Sequence, residues 1–136
     1  MKVFLDTNVL VSAAATRGLC ADVLREVLLS HDLVLADCLI EELKSVLHSK
    51  LGIPANIVDE YIDLLRADAV IIKKVIEFDL NIQDQSDIKI LSAAVASGAD
   101  IFVTGDKELL ELEKVQEMII VSPRVFWEKL KIKTNL

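Results

Sequence analysis

Five short apolar runs punctuate this chain, and each is followed by a stretch with helical spacing. The runs lie at residues 2–6 (KVFLD), 32–36 (DLVLA), 69–73 (AVIIK), 101–105 (IFVTG) and 118–122 (MIIVS). Runs this short, bounded by polar or turn residues, suit strands better than helices. Helical spacing is expected at 7–15, and at 20–30 after a break at Gly18. It recurs at 38–49 with Asp37 as cap, and at 55–67 after the LGIP turn. Further helices are expected at 87–97 (capped by Ser86, ended by Gly98), at 106–113, and from Pro123 onward. The stretch from Lys74 to Gln85 is polar and irregular. Strands alternating with helices make βαβ units, so the expected fold is α/β: three layers, α/β/α, around a central and mostly parallel sheet. No linker, repeat or low-complexity tract divides the 136 residues, which are read as a single domain, 1–136. A chain of that length buries roughly 68% of its unfolded surface.

Charge and composition remove several function classes. A net charge of −7 argues against a nucleic-acid binder that works through a basic patch alone. It suits a metal-loaded acidic site or a basic protein partner. Although 53% of the residues are hydrophobic, no apolar run approaches the ~18 residues of a membrane span, so no membrane association is expected. The start resembles no signal peptide, because Asp6 interrupts it at once. Cys20 and Cys38 lack metal-ligand spacing and are expected as reduced, buried thiols in a cytoplasmic protein. His31 and His48 are expected at the surface.

The acids fall in a pattern. Asp6 ends the first strand, where open α/β sheets bind their ligands, although Asp, Thr and Asn at 6–8 would also serve as helix caps. Asp106 follows the strand IFVTG and reaches the same carboxyl edge. Asp87 lies in the first turn of a helix that starts on that edge. The helix dipole alone would favour a carboxylate there by about 0.3–1 kcal/mol. Helical phase separates two neighbouring glutamates. Leu39, Ile40, Leu43, Val46 and Leu47 form one apolar stripe at about 100° per residue. Glu41 then points roughly 160° away, into solvent, whereas Glu42 borders the stripe at roughly 100°.

Capping or exposure explains each acid singly, but not four of them, on four segments, meeting at one edge. Close carboxylates raise one another's pKa unless cations neutralise them. Oxygen-only ligand sets suit Mg²⁺ or Mn²⁺. Such ions polarise phosphoryl oxygens and generate hydroxide from bound water. With no P-loop or GxGxxG for a nucleotide cofactor, metal-assisted phosphodiester hydrolysis is the inferred chemistry.

VFLDTNVLVSA, LIEELKSVL, DQSDIKILSAAVASGADIFVTGDKELL and IIVSPRVFWEKL, in that order, resemble the PIN-domain nucleases, in particular their toxin-type, VapC-like branch. The resemblance covers nearly the whole chain. It implies that Asp6, Glu42, Asp87 and Asp106 form an acidic quartet around Mg²⁺ or Mn²⁺, with Asn8 and Thr104 as supporting polar residues. It also implies a single-stranded RNA substrate, a homodimer and a small antitoxin partner. Where close relatives often carry a denser acidic run, this chain has DQSDI. Asp87 keeps the key position and Asp84 remains as an outer acid. Two other classes share the general layout. A receiver-type phosphotransfer domain needs an acidic pair after the first strand and a phosphoacceptor Asp after a middle strand. A dehalogenase-type phosphatase needs Asp-x-Asp, where Asn8 takes the second place. A PIN-like fold that only binds partners would lack the acids, and all four are present. Lys73, Lys74, Lys89 and above all Lys107, next to Asp106, are expected to position RNA. Ile57, Val58, Tyr61, Ile62 and Leu65 recur at helical spacing. Most are expected in the core, with a leftover stripe for a dimer or partner face.

Overall fold

Val3, Phe4 and Leu5 are apolar on both sides of strand β1 (Lys2–Leu5), and all three are fully buried. Such a strand belongs at the centre of a covered parallel sheet. In the computed structural model, which describes residues 1–73, 77 and 79–134, β1 pairs in parallel with β2 (Asp32–Ala36) on one side and β4 (Ile101–Val103) on the other. The six-stranded sheet runs β3-β2-β1-β4-β6-β5. Strands β3 (Val70–Ile72) and β6 (Met118–Val121) are also parallel to their neighbours, and β5 (Lys114–Val115) alone is antiparallel. The expected mostly parallel three-layer α/β/α fold is therefore the observed one. Phe4 and Phe102 stack across the central pair with ring centroids 5.2 Å apart.

Among the described residues seven α-helices cover the sheet: α1 (Thr7–Ala15), α2 (Leu19–Ser30), α3 (Asp37–Ser45), α4 (Ala55–Arg66), α5 (Gln85–Ala96), α6 (Lys107–Leu112) and α7 (Pro123–Thr134). Their burial follows helical phase. Val58, Ile62 and Leu65 of α4 enter the core at spacings of four and three, as one face of a helix requires. Tyr61 lies half-buried and donates its hydroxyl to the Leu10 carbonyl (2.8 Å), which ties α4 to α1. Ile57 and Leu64 face outward, 47% and 58% exposed. No helix among the described residues is long and apolar enough to cross a membrane.

Several local expectations need correction. The helix expected at 38–49 ends as an α-helix at Ser45 and continues as a π-helical turn, Val46–Lys50. There the Leu51 N–H donates to the Val46 carbonyl at 3.0 Å. Gly52, at φ 71°, then reverses the chain, and the Ile53 N–H reaches back to the Leu47 carbonyl. Asp37 makes no side-chain cap; it is the first residue of α3. The cap of α5 is Asp84, not Ser86, because a carboxylate accepts the Ser86 N–H (2.8 Å) more strongly than a hydroxyl could. Strand β5 escaped notice because two residues carry no periodicity; Glu113 and Gln116, at φ 60° and 53°, flank it. Cys38 is exposed rather than buried, on the solvent side of α3, and Cys20 is half-buried; neither forms a disulfide. His48 is exposed as expected, but His31 is half-buried with its ring edge toward Phe126. Lys74 lies outside the described residues.

Candidate active site

The chain adds strands outward from β1 through β2 to β3, then returns to the other side of β1 to place β4. The order therefore reverses between β1 and β4, and a crevice opens at such a switch point beyond the carboxyl ends of the strands. Asp6 stands on one lip of it. Its backbone N–H still donates to the Val103 carbonyl (2.9 Å), while its side chain caps α1. Only 6% exposed, its Oδ1 accepts the Thr7 N–H (2.8 Å) and its Oδ2 accepts the Thr104 hydroxyl (2.7 Å). Fully buried Thr104 also accepts the Asp106 N–H on the same oxygen (3.0 Å). One hydroxyl thus joins the acids that end β1 and β4.

Asp106 caps α6 through Oδ1, which accepts the Glu108 N–H at 2.9 Å. Glu42 and Asp87 approach from helices α3 and α5, each half-buried, whereas Glu41 is exposed. All four acids line one open cavity of about 570 Å³, together with Asn8 and Asp84. Asn8 is held loosely, with its Oδ1 3.5 Å from the Gly105 N–H. Lys107 is exposed and outside the lining, as are Lys73 and Lys89. An apolar cavity of about 450 Å³ opens elsewhere, between Met1, Ile119 and α7, and contains none of the quartet.

Charge accumulates in the crevice. Burial, reinforced by the charges of Asp84, Asp6, Asp106 and Glu42, pushes the Asp87 carboxyl from an ordinary 3.8 to about 7. Burial raises Asp6 too, against the opposing hydrogen bonds from Thr104 and Thr7. Glu42 is raised by burial and by Asp6 and Asp84. Asp84 is held low, because Ser86 donates both its hydroxyl (2.6 Å) and its N–H to the same carboxylate oxygen. Groups that raise one another in this way share an electrostatic problem that a cation solves. The donor set is all oxygen, as hard divalent ions require. Among the described residues no group of three or more acidic, His or Cys side chains stands close enough together to hold a metal ion by itself. An open set of this kind fits an ion such as Mg²⁺, which keeps several waters and takes only one or two carboxylates directly.

Sequence reasoning missed the remainder of the lining. Thr7 is 5% exposed, with its hydroxyl buried and outside full hydrogen-bond geometry. It still opposes the rise of the Glu42 carboxyl. Its place between two better caps, in DTN, masked it. Val11, Val46 and Leu51 form an apolar wall of the same cavity. Val46 read as part of the apolar stripe of its helix and Leu51 as part of the LGIP turn, and Leu51 follows directly on the π-helical turn.

Residues 2–108 match the family model described as PIN domain. No curated protein matches the chain. Among solved structures it is similar to VapBC2 from Rickettsia felis bound to a fragment of promoter DNA, at 16% identity and TM-score 0.64 over 90% of this chain and 98% of that one. It is also similar to VapC20 of Mycobacterium tuberculosis, described as a sarcin-ricin loop cleaving toxin, at 10% identity and TM-score 0.61 (83% and 96% covered). A third is VapBC-1 from nontypeable Haemophilus influenzae, at 15% identity and TM-score 0.62 (91% and 99% covered). At such identities the likeness is one of fold.

Proposed function

Because the chain belongs to the PIN-domain family, we propose that it is a Mg²⁺- or Mn²⁺-dependent endoribonuclease cutting single-stranded RNA, and the toxin of a toxin–antitoxin pair. The observation that supports this most is the meeting of four carboxylates, from four separate elements, on one cavity at the β1/β4 switch point. Asp6, Glu42, Asp87 and Asp106 would hold the ion, one or two of them directly and the others through its waters. When bound, it would supply charge neutralisation for the phosphate and a water acidified toward neutral pH.

The chain's own residues supply position. Asp6 is fixed on both oxygens, so its rotamer is set before any substrate arrives. Thr104 holds Asp6 and the backbone of Asp106 in fixed register. Asp106 uses Oδ1 on its helix, which leaves Oδ2 for the crevice. Glu42 and Asp87 enter the same cavity from α3 and α5, which pack against each other, and Asp84 adds outer negative charge. Asn8 would steady the site and Lys107, exposed beside Asp106, would meet an RNA phosphate.

A small antitoxin partner is proposed from the neighbouring structures, two of which are named as VapBC assemblies. A homodimer is proposed with exposed Ile57 and Leu64 of α4 as its candidate face. A cytoplasmic setting agrees with the two free cysteines. The test is a gel of structured and single-stranded RNAs incubated with Mn²⁺, with EDTA, and with Asp106→Asn. Cleavage of unpaired RNA that needs both Mn²⁺ and Asp106 supports the proposal. Equal products in all three lanes reject it.

A further inference from the structure

The acidic cavity has a second, chemically different wall. Helix α1 and the residue that caps it present two rows to it at steps of four: Thr7, Val11 and Ala15, and beside them Asn8, Ser12 and the cap residue Thr16. Facing the apolar row are Val46 and Leu51, which bracket the π-helical turn. Leu51 is 50% exposed, and hydrogen bonds on it and on the two residues after it fix the end of that turn. Its N–H donates to the Val46 carbonyl (3.0 Å), and Gly52 and Ile53 donate to the His48 and Leu47 carbonyls. The His48 ring adds a further bond from Nδ1 to the Ile53 carbonyl (2.9 Å). π-Helical turns are rare and concentrate at functional sites. Here one re-aims an apolar side chain that an uninterrupted α-helix would direct elsewhere.

We infer that Val11, Val46 and Leu51 form a shelf for one unpaired nucleobase next to the scissile phosphate. This rests on the nuclease reading of the same cavity. A phosphate drawn to the acidic wall through its ion necessarily brings its sugar and base along. The apolar face of a base is the part of a nucleotide that gains by leaving water against aliphatic side chains. A paired base keeps its faces inside the helical stack and cannot reach the shelf. The shelf thus selects for single-stranded substrate. Because every base has an apolar face, Leu51 and Val46 select pairing state rather than base identity.

The experiment uses a single-stranded RNA oligonucleotide cleaved at a mapped position by the full chain with Mn²⁺. Each nucleotide flanking the cut is replaced in turn by an abasic ribose, and kcat and KM are measured for wild type, Leu51→Ala and Leu51→Trp. For one flanking position, removing the base should raise KM about tenfold in wild type, equivalent to about 1.4 kcal/mol. Leu51→Ala should raise KM on intact RNA by a similar factor, with no further loss on the abasic substrate, since both changes remove one contact. Leu51→Trp should lower KM on intact RNA only, which also guards against a merely misfolded alanine variant. Independent, multiplying losses overturn the inference, as does an unchanged KM for Leu51→Ala and Leu51→Trp. So does a loss of protein-partner binding with RNA kinetics intact, which would assign the wall to a protein instead. If wild type cleaves no RNA, the nuclease reading fails first; cleavage with uncoupled losses rejects the shelf alone.

Discussion

Replacing Asp87 by asparagine should stabilise the metal-free protein at neutral pH, although the residue sits in the first turn of a helix. Asp87 is surrounded by Asp84, Asp6, Asp106 and Glu42, and its carboxyl is pushed from 3.8 to about 7. If the whole difference were felt it would amount to about 4 kcal/mol. The side chain is only half-buried in an open crevice, so solvent and salt screening leave about 1–2 kcal/mol. The amide also gives up about 0.3–1 kcal/mol of helix-dipole attraction, for a net gain of about 0–1.7 kcal/mol. The pH window follows from the direction of the shift. A carboxyl raised on folding holds its proton more tightly in the folded chain. Its stabilising effect is complete below about pH 4, declines as pH rises, and is gone above about pH 7. The variant should therefore match wild type near pH 4 and melt higher at pH 8, by up to about 6 °C, in EDTA at low salt, by circular dichroism. Mn²⁺ should then reverse the order. Wild type should gain roughly 2.7 kcal/mol at a hundred times the dissociation constant, and the variant much less for want of a ligand. A variant that melts lower than wild type at pH 8 in EDTA, together with a wild type indifferent to Mn²⁺, would refute the reasoning and leave Asp87 as a simple helix-terminus charge.

Three further outcomes are expected. Asp6→Asn should abolish Mn²⁺-dependent RNA cleavage while Glu41→Gln leaves it within about twofold by initial rates, since Glu41 is exposed and an interaction with it is worth at most a few tenths of a kcal/mol. Thr104→Val should lower stability by about 1–3 kcal/mol in urea titrations, because it strips a donor from buried Asp6 and an acceptor from the Asp106 N–H; unchanged stability would mean that the hydroxyl bridge carries no energy. RNA should bind weakly in EDTA by filter binding at 0.15 M salt, given a net charge of −7. With Mn²⁺ and the inactive Asp106→Asn chain, Lys107→Ala should reduce the salt slope by about one; tight binding in EDTA would contradict the first expectation and an unchanged slope the second.

The sequence by itself determined the layers and the acids. Local periodicity separates strands from helices because side chains alternate with period 2.0 or 3.6 regardless of distant neighbours. The same rule told Glu42 from Glu41, and the carboxyl-edge positions of Asp6, Asp87 and Asp106 followed from strand-then-helix order alone. Only the tertiary structure decided that β4 lies beside β1 and not beyond β3. Strand adjacency is a long-range choice, set by which apolar runs bury both faces, and it leaves no local mark. That choice puts the Thr104 hydroxyl on Asp6, 98 residues away in sequence. The Asp84 cap and the turn at Val46–Lys50 were equally hidden. In the last case one carbonyl accepts its N–H from one residue further along, a shift that apolar spacing over a dozen residues cannot resolve. Leu51, which caps that turn, is part of the crevice wall.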